Sequence, residues 1–273
     1  MLGRRMAVVL VAVAGLAASA AAQESWRVNA GSDWCNERDG DPDRARYCEV
    51  RETTFRAPGR VEVDASPNGG IDVTAGGGGD VRVEAKVMAV ADDEAEAQRL
   101  ASQVRLSTQG EIRAEGPSTP RRSWWSVSYR LTVPARTDLE LRSHNGGISL
   151  TGVRGRTEFT TMNGGVRVRE AGGTVHGRTT NGGVKVSLSG SRWDGDGLDV
   201  TTTNGGVVLE VPADYNAHLE TGTVNGGVRL DFPLTVQGRL DRQLSTDLGA
   251  GGPTVRAVTT NGGIVVRRRE SRD

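Results

Sequence analysis

The stretch TTMNGGVRV at residues 160–168 returns eighteen residues later as RTTNGGVKV at residues 178–186. Asn-Gly-Gly followed by Val or Ile occurs seven times, beginning at Asn68, Asn145, Asn163, Asn181, Asn204, Asn225 and Asn261. From Asn145 onward the spacings are 18, 18, 23, 21 and 36 residues. A unit of that length cannot bury an apolar face alone and must stack on its neighbours, which predicts a solenoid.

Alignment on the asparagine gives the direction of each side chain, because strand residues alternate between faces. Three and five residues after it stand Ile71 and Val73, Ile148 and Leu150, Val166 and Val168, Val184 and Val186, Val207 and Leu209, Val228 and Leu230, Ile264 and Val266. Every one is aliphatic. Six and four residues before it the inward positions include Leu139 and Leu141, Thr157 and Phe159, Val175 and Gly177, Leu198 and Val200. Each unit reads as two short strands joined at the Asn-Gly-Gly corner, with a second corner near Gly152, Gly172 and Gly190. The corner is expected to use Asn in the left-handed region and glycine at positive φ. Two residues earlier stands a hydroxyl in every copy: Ser66, Ser143, Thr161, Thr179, Thr202, Thr223 or Thr259. Stacked amides and hydroxyls would form ladders. No Lys-Ser or Lys-Thr pair follows the glycines, so a phosphate cradle is set aside.

The fold class is therefore all-β: a β-solenoid, β-helix-like, of roughly 18–23-residue rungs with a small α+β cap on its N-terminal side. Residues 61–135 are read as that cap together with the first repeat, residues 136–269 as the remaining repeats and 270–273 as a tail. The first copy has Val61, Val63 and Ala65 one position out of phase, and Pro67 precedes its Asn. In the cap, Val81 to Val87 alternates as a strand, and residues 92–104 read as a helix with Asp93 and Glu96 suited to a capping box. Glu111 to Glu115 reads as a short strand, and Trp125, Val127, Tyr129, Leu131 and Val133 share one face of a longer one. Arg267, Arg268, Arg269 and Glu270 are expected to charge the final strand and protect an open edge.

Residues 1–22 have the form of a secretory signal: Arg4 and Arg5, an uncharged run from Met6, and Ala20, Ala21 and Ala22 before a polar segment. No cysteine stands directly after the cut and no second apolar stretch appears, so a protein exported to the periplasm, the surface or the medium is expected, without a stable membrane span. The remainder carries 32 basic against 34 acidic side chains, which argues against nucleic acid as partner. With 38 glycines and 4% aromatics the chain needs a repetitive architecture rather than a large-side-chain core. Residues 23–60 form a polar segment holding the only cysteines, Cys35 and Cys48, for which a disulfide is the expected state. Such a loop closure contributes about 3 kcal/mol in the chain-entropy picture.

The signal, the segment Cys48-Glu49-Val50-Arg51-Glu52, the strand Tyr129-Arg130-Leu131-Thr132-Val133-Pro134 and the serial Thr-x-Asn-Gly-Gly-Val units together resemble the bacterial putative-adhesin family. The resemblance spans residues 61–267 and implies a β-solenoid surface protein, with no established ligand or catalytic residue to carry over.

Stacking concentrates side chains that are distant in sequence. Glu140, Glu158, His176, Asp199 and Glu220 fall five residues before their asparagines, and Arg167, Lys185 and Arg229 fall four after. These two columns, with Trp124 beside Arg122, are the candidate ligand-binding residues. A solvated face of cross-strand ion pairs is the bland alternative. His144, His176 and His218 occupy different columns and are not expected to converge on a metal. Asp39, Asp41 and Asp43 imitate a calcium loop without its Gly and Glu, and Asp194, Asp196 and Asp199 could chelate calcium in a turn. No cofactor and no catalytic residue is expected. The expected function is adhesin-like binding or scaffolding at the cell envelope, with an envelope glycan or surface protein as partner. A β-helix polysaccharide hydrolase or lyase is the alternative.

Overall fold

The computed structural model describes residues 25–29, 31–36, 44–119, 122–231 and 242–269. The signal reading of residues 1–22, Asp39, Asp41, Asp43 and the tail at 270–273 lie outside the described residues.

Each repeat gives one strand to each of two sheets. The strand leading to the asparagine lies in a ten-stranded sheet, and the strand after the glycines lies in an eleven-stranded one. Neighbouring repeats pair parallel and in register: Val166 stands opposite both Ile148 and Val184, and Thr157 opposite both Leu139 and Val175. The aliphatic positions after the glycines are buried in every rung from Ile71 to Ile264 and half-buried only at Val228 and Leu230. Burial of each such side chain contributes about 1.5–3 kcal/mol. Where a rung lacks bulk its neighbour supplies it: a Cβ on Gly177 would lie 1.8 Å from the ring of Phe159 in the adjacent rung.

The corners form three parallel ladders. In the stacking order Asn68, Asn145, Asn163, Asn181, Asn204, Asn261, Asn225, each asparagine amide after the first donates to the side-chain carbonyl oxygen of the asparagine before it, at 2.7–2.9 Å. The hydroxyls of Ser143, Thr161, Thr179, Thr202, Thr259 and Thr223 donate to the carbonyl of the first glycine one rung away, at 2.7–2.8 Å. The carbonyl of the second glycine accepts from the backbone N–H of the following strand's neighbour, as in Ile148 N–H to Gly165.

Two details differ from the sequence reading. No Asn or Gly of the seven corners has a left-handed φ; positive φ is confined to other turns, among them Gly152, Gly173 and Gly190. The first glycine is required for a different reason: a Cβ on Gly164, Gly182, Gly205 or Gly262 would stand 2.1–2.2 Å from the carbonyl oxygen of the adjacent first glycine. Ser66 is the other exception. The extra residue in the first copy lets Ala65 take the buried place, and Ser66 is exposed with its N–H on Asp64.

Sequence order and stacking order part company at the last two rungs. The strands Thr254–Asn261 and Ile264–Arg268 insert between the Asn204 and Asn225 rungs, so Asn261 is interior and Asn225 terminal. Arg267 and Arg269 therefore do not guard an edge; they bond Glu210 and Glu170. The real edges are the short strand Val228–Leu230 and the antiparallel strand Gln243–Leu248, whose outward side chains include Gln243, Ser245 and Asp247. Brevity and polarity blunt such edges.

At the opposite end both sheets continue into non-repeat chain. Asp80–Ala91 and Ala45–Arg56 extend the larger sheet antiparallel from Trp124–Pro134, while Glu111–Glu115 and Arg105–Ser107 extend the smaller one. The helix Glu94–Ser102 is N-capped by Asp93, which accepts from Glu96 N–H at 2.7 Å, and it buries Ala97, Leu100 and Ala101. Arg51 donates to the carbonyls of Ala101 and Val104 at 2.9 and 2.6 Å, satisfying acceptors that a helix end leaves open. Trp125 is half-buried and donates to Pro117 O at 2.9 Å.

Two expectations follow for urea denaturation. Asn181→Ala and Asn261→Ala each break two ladder bonds and should each cost about 2 kcal/mol, against about 1 for Asn225→Ala, which breaks one; equal losses at Asn261 and Asn225 would contradict the inserted order. Within one triplet, Gly182→Ala should destabilise by about 3 kcal/mol. Gly183→Ala, whose Cβ meets its nearest atom only at 3.4 Å, should stay close to wild type.

Candidate functional site

Glycine at the second corner position leaves a furrow on the outer face of the larger sheet. It is exposed in rung after rung, at Gly147, Gly165, Gly183 and Gly206, and the outward residues beyond it are short where they are not charged. The resulting groove, about 700 Å³, crosses the strands and is lined by those glycines, by Ser128, Ser149 and Val208, and by Asp72, Lys86, Arg130, Arg167 and Lys185. Its volume lies within the usual range of ligand sites.

Trp34 closes one end. The Cys35–Cys48 disulfide, with Cα atoms 5.7 Å apart, ties the short helical turn Asp33–Asn36 to the strand Ala45–Arg56. The indole is buried, with the Arg130 guanidinium 3.9 Å and the Lys86 ammonium 5.1 Å from the ring centroid. Cation–π attraction of this kind holds the two cations in place.

The register places one outward column along the groove: Arg130, Asp72, Ser149, Arg167, Lys185, Val208, Val265 and Arg229. Arg167 and Lys185 stand directly opposite each other, an arrangement of like charges that costs stability. Lys185 is compensated by Glu210 at 2.8 Å; Arg167 is exposed and makes no ion pair among the described residues. Arg229 lies at the far edge and pairs with Asp231 at 2.8 Å. Glu210 also accepts from Ser187 at 2.5 Å and from Arg267. Burial pushes its carboxyl up, but the hydrogen bonds from Lys185, Ser187 and Arg267 outweigh that, and the pKa is pushed down to about 2.

The acidic column lies on the other sheet, away from this groove. Glu140, Glu158, His176 and Asp199 are consecutive in register, and Arg256 then separates Asp199 from Glu220. Glu140 pairs with Arg60 and Arg142, Glu158 with Arg156 at 2.7 Å, and Asp199 with Arg256 at 2.6 Å. The Arg156 hydrogen bond and charge hold the Glu158 carboxyl below its ordinary range. These carboxylates form an ion-pair ladder and line neither the groove nor the smaller hollow beside Trp26 and Glu49. Trp124 is exposed on the strand Trp124–Pro134. Asp194 and Asp196 are engaged separately, by Arg154 and Thr174. Among the described residues no three metal-ligating side chains converge on one point.

Sequence reasoning missed Trp34, Lys86 and Arg130, which lie outside the repeat units, and passed over Asp72 and Ser149, which share the column of Arg167 but are not basic. It also missed one constellation created by the antiparallel edge. His218 Nδ1 lies 2.7 Å from Asp247 Oδ1 and Nε2 lies 3.1 Å from Ser245 Oγ. The order of groups is that of a serine nucleophile, its base and an orienting carboxylate. Glu220, however, stands 3.6 Å from the same Nε2, Ser245 and Asp247 are exposed, and neither hollow includes the serine.

Two sheets of stacked repeats, with a polar groove on one outer face, define a β-solenoid-like protein. The match of residues 65–267 to the Toastrack DUF4097 family model covers most of the chain, and the protein belongs to that family. No protein of curated function matches it. Among solved structures it is similar to a "putative cell adhesion protein" from Clostridium sporogenes (11% identity, 81% of this chain and 100% of that one, TM-score 0.42). It is also similar to a "putative adhesin" from Bacteroides fragilis (9% identity, 81% and 97%, TM-score 0.32). A third is a "putative lipid binding protein" from Parabacteroides distasonis (10%, 82% and 97%, TM-score 0.29). At these scores the likenesses carry no argument about activity.

The Glu210 cluster generates a pH signature. A depressed carboxyl pKa contributes stability above the ordinary glutamate value, near 4.3, and that contribution is lost as pH falls through the folded value of about 2. Glu210→Gln should lower the urea midpoint at pH 7, with the difference from wild type closing between about pH 4 and pH 2. A difference that stays constant to pH 2 would place the carboxylate outside the cluster.

Proposed function

We propose that this is an exported, non-catalytic binding protein of the cell envelope, and that it takes its partner in the groove of the eleven-stranded sheet. The observation that carries the reading is the groove itself: a furrow several rungs long, closed at one end by disulfide-held Trp34 and rimmed by charges, of which Arg167 has no ion-pair partner among the described residues. The disulfide supports an oxidising compartment. Among the described residues no helix is long and apolar enough to cross a membrane.

The competing reading is enzymatic, and Ser245, His218 and Asp247 are the specific observation in its favour. Their place on an open sheet edge, with Glu220 competing for the imidazole, supports a cross-strand polar cluster instead. Acyl transfer needs a shaped, water-poor site with oxyanion donors as well as the three side chains.

The test expresses the full chain, residues 1–273, in a bacterial host and recovers the exported protein. Mass mapping under non-reducing conditions should find an N-terminus at Gln23 and one linked Cys35–Cys48 peptide. Ser149→Trp, which fills the groove without altering a charge, should abolish adhesion to isolated envelopes while Glu158→Ala leaves it intact. Labelling of Ser245 by a fluorophosphonate probe, lost in His218→Ala, would replace the binding reading with a hydrolase.

A further inference from the structure

We infer that the groove ligand is a linear anionic glycan, one carrying a carboxylate on successive sugars, which lies across the strands with its acid groups on Arg167, Lys185 and Arg130. The inference rests on the groove being the binding site and adds the chemistry of what occupies it.

Charge segregation is the first support. The whole chain is formally neutral, yet the outward column of the larger sheet holds Arg130, Arg167, Lys185 and Arg229 against Asp72. The corresponding column of the smaller sheet is dominated by Glu111, Glu62, Glu140, Glu158, Asp199 and Glu220. A polyanion is attracted to the first face and finds the second already paired with its own arginines, which favours the groove as its landing place. Arg167 sharpens the point, because it faces Lys185 across the ladder and, unlike Lys185 with its Glu210, has no carboxylate partner among the described residues. A ligand anion would supply one.

Geometry supplies the second. The groove axis runs perpendicular to the strands, so Arg167 and Lys185, on neighbouring strands, are spaced by about 4.8 Å, of the order of one sugar residue in an extended chain, and Arg130 stands three strands from Arg167. A glycine floor gives room for rings to lie flat against backbone, and Ser128 and Ser149 offer hydroxyls to sugar hydroxyls.

Other polyanions fit less well. Single-stranded nucleic acid is held by aromatic platforms on which bases stack, whereas Trp34, the groove's tryptophan, is buried under its two cations. A membrane surface calls for exposed apolar anchors beside the cations. Among the described residues the exposed large hydrophobic side chains are Val28, Trp124, Met162 and Val224, none of them in the groove.

The experiment is titration calorimetry of residues 23–273 with polygalacturonate, with dextran, dextran sulfate and inorganic polyphosphate in parallel arms. Polygalacturonate should bind saturably and dextran should not, and binding should weaken at least about tenfold in Arg167→Glu and again on raising salt. Arg105→Glu, the same charge change on an exposed position of the smaller sheet, should behave as wild type, and thermal melts check that each variant is folded. Ser149→Trp should abolish the signal. Dextran binding as tightly as polygalacturonate, with loss in Ser149→Trp but not in Arg167→Glu, would overturn the anionic assignment and leave the groove standing. Tighter binding of polyphosphate or dextran sulfate would overturn the carboxylate assignment. Polygalacturonate binding indifferent to Ser149→Trp would remove the groove as the site, and the functional proposal with it.

Discussion

The close approach of consecutive first glycines is the constraint on which the molecule depends. At this point of each rung the backbone of one corner lies where a side chain of the next would stand, with a hypothetical Cβ only 2.0–2.2 Å from a carbonyl oxygen along most of the stack. Carbonyls brought that near need donors, and the hydroxyl two residues before each asparagine provides one at every rung after the first. The asparagine amide closes the outer side of the same corner, each carboxamide serving as donor to one neighbour and acceptor to the other. Glycine, hydroxyl and amide are thus three consequences of one spacing, the strand separation of a parallel sheet. A rung that loses one of them also leaves a neighbour's group unpaired, which is why the triplet varies less than the apolar positions around it.

The groove sits beside that constraint without being dictated by it. The second glycine has no Cβ to fill the outer face of the corner and so leaves a furrow along the larger sheet, although a Cβ at Gly165, Gly183 or Gly206 would meet its nearest atom only at 3.3–3.4 Å. Side chains two residues further on become its rim. They point to solvent, and yet they are not a random polar mixture: Arg167 and Lys185 repeat a positive charge where an alternating pattern would be more stable. Close packing of the corners demands the first glycine; it demands neither the furrow nor its charge.

Repeat spacing, inward alternation, the capping helix and the disulfide were legible in the sequence because each rests on local pattern or on residue type alone. The insertion of Thr254–Asn261 between Gly197–Asn204 and Ala217–Asn225 was not. All three strands carry the same apolar pattern and the same corner, so any order of stacking buries similar surface, and no local signal distinguishes them. The strand Ala45–Arg56 was hidden for the opposite reason. Its composition is polar, and what pairs it with Asp80–Ala91 is backbone hydrogen bonding together with Val50 buried beneath the disulfide-tied segment. Trp34 went unread as part of a site because its partners, Lys86 and Arg130, come from distant strands. The left-handed corner expected from Asn-Gly-Gly was a sound inference from a dipeptide in isolation, and it failed because a stacked corner is shaped by its neighbours.

A net charge near zero would ordinarily argue that electrostatics has little to do with partner choice. In a solenoid that argument fails, because the repeat sorts residues by column before they reach the surface. Positions five before the asparagine all emerge on one face, and positions four after it all emerge on the other. A modest bias in each column therefore becomes a strip of one sign several rungs long, and opposite biases cancel in the total while facing opposite directions in space. The acidic strip recruits arginines from neighbouring columns, as Arg60, Arg142, Arg156 and Arg256 do, and neutralises itself. In the basic strip Arg229 pairs with Asp231 at its far edge, and Lys185 shares Glu210 with Ser187 and Arg267. The uncompensated charge is left at Arg167, in the middle of the groove, where a ligand's anion can meet it.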